Sequence, residues 1–496
     1  MGVLKFRLNP PDLSATNPDL RKAYASGQDR TPGRVTADLR PGLLTINRPS
    51  PESGRIHVPW PVKGFGSLIL GTATLSERAE PYDLDVELAR GTLNEVRNQT
   101  ADWVQMGLNL SPKLEALLDK AQRAFARAAT SRDDPSAAAK AAKACLEATC
   151  QAGDCLIELY TEQVLKRRLD HASKLPTLLG CVLDGDPKSA PWAPALLECI
   201  NAAQVRCPWA KLAPDEGRYR WEETDAQLHW CRKRHLTPMA GPLLEFRPEA
   251  LPDWLWLWDG DFEEILSQAV DLVRHAVTRY RGKVAIWRLV HRVASTEILG
   301  LSEEEQIRLT AKVLQVARQA DPNAQFIIDL DRPWAEWMAS SSFQLGPLHL
   351  ADSLFRADLG LSGVGLEIAV GYGGTGSHMR GLFDFSRLLD LYALVNLPLH
   401  ISFVCPSTLK ADPNAAESSP IEAAQWPGPP TEATQRDWAA RWTSLAAAKP
   451  FVRSVTWLQA SDASPHLYAN GGLFRPDQTP KPIVSWLKSF RTDYLG

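Results

Sequence analysis

The stretch Phe262-Glu-Glu-Ile-Leu-Ser-Gln-Ala-Val-Asp-Leu-Val273 has the apolar spacing of one helix face, and an apolar run follows it at 284–290. The same order then repeats. Ser302, with Glu305 three residues later, has the pattern of a helix N-terminus, and a second apolar run covers 325–330. Strands that are buried on both faces and alternate with helices are typical of a parallel sheet.

This alternation extends in both directions from that stretch. Apolar, strand-like runs occur near 178–183, 199–205, 236–244, 284–290, 325–330, 363–369, 397–404 and 453–458. Eight runs with amphipathic helical segments between most of them fit a closed barrel better than an open sheet. We therefore predict an α/β protein with a (β/α)8 TIM barrel over residues 176–496.

The chain before the barrel divides into two parts. Residues 1–95 contain short β-like runs separated by turn residues, such as 43–47 and 82–88, and this pattern predicts an N-terminal β-sandwich. Residues 96–175 have helical spacing and predict a helical connector built as a hairpin.

The composition excludes several classes of protein. The 496 residues carry 55 Lys+Arg against 58 Asp+Glu, a net charge of −3, with no block of basic residues. Because nucleic-acid affinity depends on neutralising phosphates, we expect no nucleic-acid partner. The chain shows no signal-peptide pattern at its N-terminus and no run of about eighteen apolar residues, so we predict a cytoplasmic protein without a membrane partner.

The 8 cysteines and 10 histidines do not follow a metal-binding pattern. No CxxC occurs, and Cys145, Cys150 and Cys155, at intervals of five, would share no helix face. We expect free thiols, no metal site and no cofactor.

Barrel chemistry takes place at the carboxyl ends of the strands, where this chain carries many polar residues. These residues are Asp184, Asp186, Glu245, His291, Arg292, Asp329, Asp331, Arg332, Glu367, Gln459 and Asp462. Any one of them is also explained as an ion-pair partner or a helix N-cap. Glu245, Asp331 and Glu367 together, however, offer the carboxylate pair that glycosidic cleavage requires, and we predict them as hypothetical catalytic residues.

Tryptophan is frequent, with 17 residues, and indoles serve either as packing or as sugar-stacking surfaces. In Trp254-Leu-Trp-Leu-Trp258 the alternation predicts an extended segment, with one set of rings packed inward and the other free to face a ligand. The alternative is that these rings cap the barrel wall. We predict Trp209, Trp254, Trp256 and Trp334 as substrate-binding residues, together with His291, Arg292, Arg332 and Gln459.

Gly371-Tyr-Gly-Gly-Thr-Gly376 matches the GxGxxG pattern of dinucleotide-binding folds. The next strand-like run, 397–404, ends without an acidic residue to hold a ribose, so we predict a flexible glycine loop over the barrel mouth instead. The Pro/Ala/Ser/Glu-rich segment 406–434 is predicted to be a long loop that serves as a lid or an interaction surface.

A series of landmarks in the barrel resembles the family 10 glycoside hydrolases, the xylanase barrels. Leu251-Pro-Asp-Trp254 resembles the family's Leu-Pro-x-Trp, and Tyr280-Arg-Gly-Lys-Val-Ala-Ile-Trp287 resembles its Tyr-x-Gly-Lys-Val-x-x-Trp. Ala317-Arg-Gln-Ala-Asp-Pro-Asn-Ala324 is similar to its Ala-Arg-x-Ala-Asp-Pro-x-Ala. The resemblance implies a carbohydrate-related barrel with an oligo- or polysaccharide partner, and a sandwich similar to a carbohydrate-binding module.

The departures from the family pattern fall on its catalytic positions. Trp287-Arg-Leu-Val-His-Arg292 places Arg292 where the resemblance implies the acid/base Glu, and His400-Ile-Ser-Phe-Val-Cys405 places Phe403 where it implies the nucleophile. Arg does not donate a proton at neutral pH, and Phe is no nucleophile. Two interpretations stay open: a carbohydrate-binding pseudoenzyme, or a hydrolase with a relocated carboxylate site at Glu245, Asp331 and Glu367.

Overall fold

Two small sheets form the N-terminal part of the computed structural model, which describes residues 2–27, 30–131 and 133–496. Their orders are β4-β5-β1-β8 and β3-β2-β6-β7, antiparallel except for the β1–β8 pair. The strands are β1 (Gly2–Arg7), β2 (Tyr24–Ser26), β3 (Pro32–Gly33), β4 (Thr36–Arg40), β5 (Leu43–Arg48), β6 (Arg55–Val62), β7 (Gly66–Gly71) and β8 (Tyr82–Asp83), with the short helix α1 (Leu13–Thr16) after β1. Alternating side chains such as Leu4 and Phe6 are fully buried in a shared core, as expected of half-buried strands.

The strand predicted over 82–88 is wrong beyond Asp83. Leu84 begins a helix, because Leu84 and Leu88 bury one helical face and Asp85 and Glu87 place acidic side chains in the first turn.

Three long helices join the sheets to the barrel: α2 (Leu84–Gln105), α3 (Pro112–Thr130) and α4 (Pro135–His171). Ser111 and Asp134 cap the second and third of these, each accepting a hydrogen bond from a backbone N–H in the first turn. The helix α4 packs along both α2 and α3.

The barrel strands are β9 (Leu178–Leu183), β10 (Ala202–Val205), β11 (Thr237–Ala240), β12 (Leu244–Glu245), β13 (Ile286–His291), β14 (Gln325–Leu330), β15 (Leu361–Ile368), β16 (Leu399–Phe403) and β17 (Val452–Trp457). All neighbouring strands are parallel, β17 pairs with β9, and β11 pairs with β13, so the sheet closes on itself. The predicted (β/α)8 barrel is confirmed. Its third strand is interrupted at Gly241–Leu243, where Pro242 has no N–H to donate.

Helices surround the barrel: α5 (Ala193–Leu197), α6 (Trp209–Leu212), α7 (Glu222–Lys233), α8 (Phe262–Arg279), α9 (Glu303–Ala320), α10 (Pro347–Arg356), α11 (Leu382–Ala393), α12 (Glu432–Ala448) and α13 (Pro482–Tyr494). The predicted capping box at the start of α9 is present, since Ser302 and Glu305 bond reciprocally through side chain and backbone. Within the described ranges, every helix is too short or too polar to cross a lipid bilayer.

The N-terminal part packs directly on loops of the barrel. The Arg380 guanidinium reaches Tyr24 Oη at 3.4 Å, and His378 Nε2 lies 2.8 Å from the carbonyl oxygen of Ser67. Glu95 of α2 pairs with Arg387 of α11. These contacts fix the N-terminal part against the loop that follows β15 and against α11.

Candidate functional site

A cavity of about 70 Å³ opens at the carboxyl ends of the barrel strands. Its polar lining consists of Asp184, Gln204, Arg206, Glu245, Arg247, Arg288, His291, Asp329, Glu367, Ser402, Gln459, His466 and Tyr468. We call it the mouth cavity. It brings together four of the predicted site residues, Glu245, His291, Glu367 and Gln459, with Arg292 beside them.

Arg292 links the three predicted carboxylates. Its Nη2 lies 2.9 Å from Glu367 Oε1, its Nη1 lies 3.3 Å from Asp331 Oδ2, and its Nε lies 3.9 Å from Glu245 Oε1. The side chain is 3% exposed, and its backbone φ is +66°, in the left-handed region that strains a non-glycine residue. The position implied for a proton donor therefore holds a buried cation that cross-links carboxylates.

Glu245 is held as an anion. Its Oε1 accepts a hydrogen bond of 2.9 Å from Arg247 Nε. Burial alone would raise the pKa of Glu245, but the charge of Arg247 and the neighbouring cations outweigh it and lower that pKa to about 2. A carboxyl group with this pKa is ionised at neutral pH.

Asp331 is held in the same way, just beside the cavity. Arg332 Nε lies 2.9 Å from its Oδ2, and Ser295 Oγ donates to its Oδ1 at 2.8 Å. Burial would raise the pKa of Asp331, yet Arg332 and Arg292 together lower it well below its ordinary value. Asp331, Arg292 and Arg332 form the wall behind the mouth cavity and are not among its lining residues.

Glu367 joins the cavity to the loop after β17. Tyr468 Oη donates to Glu367 Oε1 at 2.6 Å, and burial followed by the Glu367 charge raises the pKa of Tyr468. His291 stands between two carboxylates, with Nδ1 at 3.9 Å from Glu245 and Nε2 at 3.5 Å from Glu367. Glu245 and Glu367 thus face each other across one imidazole ring.

Arg288 and Asp329 form the floor of the cavity. Arg288 Nη1 donates to Asp329 Oδ1 and to Ser402 Oγ, each at 2.9 Å. Burial raises the pKa of Asp329, and Arg288 opposes that rise. Asp184, on the opposite side, also has a raised pKa because it is buried.

Several buried polar atoms of the cavity have no hydrogen-bond partner among the described residues. They are Asp184 Oδ2, Gln204 Oε1, Arg288 Nε and Nη2, and His291 Nε2. Gln204, Arg288 and His291 are 3%, 2% and 6% exposed. Buried polar atoms are nearly always paired, so this set of donors and acceptors marks a place where a polar ligand or solvent binds.

Phe403 points away from the mouth cavity. Its ring packs edge-on against Phe385 of α11 at 5.6 Å and against Trp438 and Trp442 of α12 at 5.3 and 6.2 Å. His400 and Ser402 of the same strand face inward, where they bond to Ser454 and Arg288. The residue at the implied nucleophile position is therefore an aromatic side chain that packs against α11 and α12.

The predicted tryptophans do not gather at the mouth. Trp254-Leu-Trp-Leu-Trp258 is not extended but lies in a 3-10 helix, Asp253–Trp258. Trp209 is buried edge-on against Trp254, whose Nε1 donates to the carbonyl of Ala213. Both rings lie outside the lining of the mouth cavity. Trp256 is 38% exposed, and Trp334 lines a different cavity.

The predicted glycine loop packs against Tyr468, a residue that lines the mouth cavity. Gly371 has φ +73°, and a Cβ there would collide with the Trp426 indole, whose Nε1 donates to the Gly371 carbonyl. The neighbouring Tyr372 is buried, with its ring centroid 5.0 Å from that of Tyr468. Segment 406–434 packs on this loop and, through Gln425 and Trp426, on Gly66 of the N-terminal part. Its role as a lid or an interaction surface stays a prediction.

One group of side chains has the composition of a metal site. Ligand atoms of Asp412, Asp462 and His466 lie within 4.8 Å of one another. Lys481 Nζ, however, lies 2.6 Å from Asp462 Oδ2, and Asp412 Oδ2 is 2.9 Å from His466 Nε2. The protein already supplies a cation to this group, so a metal would have to displace Lys481.

Sequence reasoning missed Gln204, Arg288 and Tyr468. Gln204 and Arg288 each interrupt an apolar strand run, and a polar residue inside a buried strand is the signal that would have found them. Tyr468 lies in the loop after β17, where no local pattern distinguishes it.

Comparison with known proteins connects the barrel with xylanases. Endo-1,4-beta-xylanase B of Thermotoga neapolitana is 26% identical over 200 residues, which cover 39% of this chain and 54% of that protein. The chain thus spans about half the length of that curated relative. This match supports the resemblance of the barrel landmarks to family 10 glycoside hydrolases. No protein-family model matches the chain.

Solved structures of xylanases are also similar. Xylanase 10B of Thermotoga maritima is 18% identical, with 64% of this chain and 96% of that chain covered and a TM-score of 0.49. Xylanase 10B of Thermotoga petrophila RKU-1, solved in complex with xylobiose, is 16% identical, with 66% and 96% covered and a TM-score of 0.49.

Proposed function

We propose that this protein binds a saccharide at its barrel mouth and does not hydrolyse it by the retaining mechanism. The observation that carries the proposal is the position of Arg292, which holds Asp331 and Glu367 in a buried ion-pair cluster at the implied site of the proton donor. Retaining cleavage needs one carboxylic acid to protonate the leaving oxygen and a carboxylate to attack. Arg292 is a permanent cation, and Phe403 lies outside the cavity.

The unpaired atoms of the cavity match the chemistry of sugar hydroxyls. A hydroxyl group both donates and accepts hydrogen bonds. The cavity offers acceptors at Asp184 and Gln204 and donors at Arg288, while His291 Nε2 takes either role according to its tautomer. This mixture suits a neutral polyhydroxyl compound.

The size of the cavity restricts how a saccharide enters. Its volume of about 70 Å³ is well below the roughly 300 Å³ of ordinary small-molecule pockets. We infer that it receives the hydroxyl edge of one terminal sugar unit, with the rest of the ligand outside the barrel. Short saccharides are therefore expected to bind as well as long ones.

Calorimetry with the full chain tests this proposal, with xylobiose, cellobiose and xylose as probes. We expect a dissociation constant near 1 mM, about −4 kcal/mol, for at least one of them, and no release of reducing ends over a day. The Gln204→Leu variant keeps side-chain bulk, removes an acceptor, and is expected to weaken binding about tenfold, since an unmade hydrogen bond costs about 1–3 kcal/mol. The exposed Gln319→Leu serves as control. Absence of binding to all three probes, or binding unchanged in Gln204→Leu, would refute the proposal.

A hydrolase with relocated carboxylates is the second candidate. It is favoured by Glu245 and Glu367 facing each other across His291 in one cavity. It is disfavoured by the low pKa of Glu245, which leaves that group without a proton to donate. Turnover of a saccharide that Glu367→Gln abolishes would establish this candidate, and turnover unchanged in that variant would remove Glu367 from it.

A further inference from the structure

A second cavity, of about 130 Å³, lies between the N-terminal part and the barrel. We call it the interface cavity. Its walls are formed by β6 and β7, by α2, α4 and α11, and by the loops after β14 and β15. Much of the wall is apolar and comes from Leu68, Leu70, Val96, Phe383 and Leu388. Among the described residues, none lines both this cavity and the mouth cavity.

Positive charge is in excess on one side of the interface cavity. Glu95 receives ion pairs from both Arg55 and Arg387, and all three side chains are at most 20% exposed. Burial would raise the pKa of Glu95, but the two arginines lower it to about 2. Arg30 lines the same cavity and has no ion pair with any residue of the described ranges. Two guanidinium groups therefore share the Glu95 carboxylate, and a third, that of Arg30, lines the same cavity.

The other charges around the cavity reduce this excess without removing it. Asp384 pairs with Arg380, which also pairs with Glu336, and Asp154 pairs with Arg441. Counted over the lining, four arginines face three carboxylates, so one positive charge is in excess. Burial and the nearby Arg55 lower the pKa of His57 to about 3, so its ring is neutral at physiological pH.

The unpaired polar atoms of the interface cavity are mainly donors. Trp334 Nε1 and Arg380 Nε are buried without a hydrogen-bond partner among the described residues, as is the Thr92 hydroxyl, which can donate or accept. Such a set binds a group that accepts several hydrogen bonds. A negative ligand would also relieve the repulsion among Arg30, Arg55 and Arg387.

We propose that the interface cavity is a binding site for a small organic carboxylate with an apolar body. The carboxylate lies at Arg30, Arg55 and Arg387, and the apolar body lies against Leu68, Phe383 and the other apolar walls. The volume suits one ring, since a protein cavity of about 150 Å³ binds benzene. Pockets between domains are common ligand sites.

Benzoate is the probe, because it joins one apolar ring to one carboxylate. Calorimetry with the full chain is expected to give a dissociation constant near 1 mM or lower, about −4 kcal/mol. Benzamide, which has the same ring without the charge, and acetate, which has the charge without the ring, are expected to bind at least about tenfold more weakly. Equal binding of benzoate and benzamide, or no binding of benzoate at about 20 mM, overturns the proposal.

The Arg30→Met variant tests where the carboxylate lies. Arg30 is exposed and unpaired within the described part of the chain, so the variant is expected to fold normally and to bind benzoate about five- to tenfold more weakly. Arg34→Met, four residues away and outside the cavity lining, is the matched control and should bind like the parent chain. Unchanged binding in Arg30→Met, or the same loss in Arg34→Met, contradicts the assignment. Benzoate should not compete with xylobiose, since the two cavities are separate.

Discussion

The mouth cavity and the interface cavity use arginine in opposite ways. Around the mouth there are five arginines, Arg206, Arg247, Arg288, Arg292 and Arg332, and five carboxylates, Asp184, Glu245, Asp329, Asp331 and Glu367. The lining of the interface cavity has four arginines, Arg30, Arg55, Arg380 and Arg387, and three carboxylates, Glu95, Asp154 and Asp384, and Arg55 and Arg387 both pair with Glu95. Unpaired atoms at the mouth include donors and acceptors, whereas those at the interface are mainly donors. The balance of charge, more than its presence, therefore distinguishes the site that we propose for neutral hydroxyls from the site that we propose for an anion.

The largest expected effect tests whether Phe403 lies outside the mouth. Phe403→Glu removes an aromatic ring packed against Phe385 and Trp438 and buries a carboxyl group there, so we expect a loss of more than about 4 kcal/mol in the free energy of unfolding. Urea denaturation measures it. Leu394→Glu, at a position 79% exposed, is the control and should change stability by less than about 0.5 kcal/mol. A well-tolerated Phe403→Glu would mean that this side chain reaches the arginines of the mouth.

The Arg292→Met variant is expected to cause the next largest loss in the free energy of unfolding. It removes the cation shared by Asp331 and Glu367 and leaves buried carboxylates underpaired, which costs about 3 kcal/mol or more. Urea denaturation at neutral pH is again the measurement. Arg436→Met breaks a pair with Asp437 at the surface and should cost at most about 1 kcal/mol. Similar losses in both variants would contradict the description of the mouth as a balanced, buried cluster.

The two cavities should respond to acid over different pH ranges. The pKa of His57 falls from 6.5 to about 3 on folding, so the unfolded chain takes up a proton first and stability falls as pH drops below 6.5. The pKa of Glu245 falls from 4.5 to about 2, so the stability it contributes is present above 4.5 and is lost only as pH drops towards 2.

The His57→Gln variant separates the two responses. Between pH 6 and 5 it should reduce the slope of unfolding free energy against pH by about 1 kcal/mol per pH unit. The part of the slope that comes from other buried histidines, such as His378 and His400, should stay unchanged. The exposed His171→Gln should leave the slope unchanged. An unaltered slope in His57→Gln would contradict the buried, neutral His57.

A smaller effect is expected from Tyr468→Phe at the mouth. The variant removes a 2.6 Å hydrogen bond to the Glu367 carboxylate and should cost about 1.5–3 kcal/mol, as bonds to charged groups do. Tyr372→Phe removes a 3.0 Å bond to the neutral carbonyl of Ala469 and should cost about 1 kcal/mol. If the order of these two losses in thermal unfolding is reversed, Glu367 is not the charged acceptor described above.

The smallest expected change in stability is that of a variant at the interface cavity. Arg30→Met removes a charge that is in excess, so stability should change by less than about 0.5 kcal/mol, with a gain as the expected sign. Burial is the main cause that lowers the pKa of Arg30, and the charges of Arg387 and Arg55 lower it further while Glu95 opposes them. A loss above about 1 kcal/mol would mean that Arg30 has a partner, and the contrast with Arg292 would fail.

Local patterns predicted much of the fold. The apolar runs at 325–330 and 363–369 became β14 and β15 nearly residue for residue, and the capping box at Ser302 opened α9. Periodicity succeeded there because each element buries a regular face. It failed at 82–88, where Leu84 and Leu88 also fit a helix, and at 254–258, where alternation of Trp and Leu fits a 3-10 turn.

The sequence by itself determined the closed barrel and the presence of Arg292 and Phe403 at positions where the resemblance to family 10 glycoside hydrolases implies carboxylates. Only the tertiary structure decided that Arg292 binds Asp331 and Glu367, that Phe403 faces α12, and that Trp334 lies at the interface cavity. The physical reason is the distance along the chain between the residues that interact. Strands and helices follow from neighbours a few residues apart, whereas charge balance and hydrogen-bond pairing depend on side chains that the closed sheet and the docked N-terminal part bring together from distant segments.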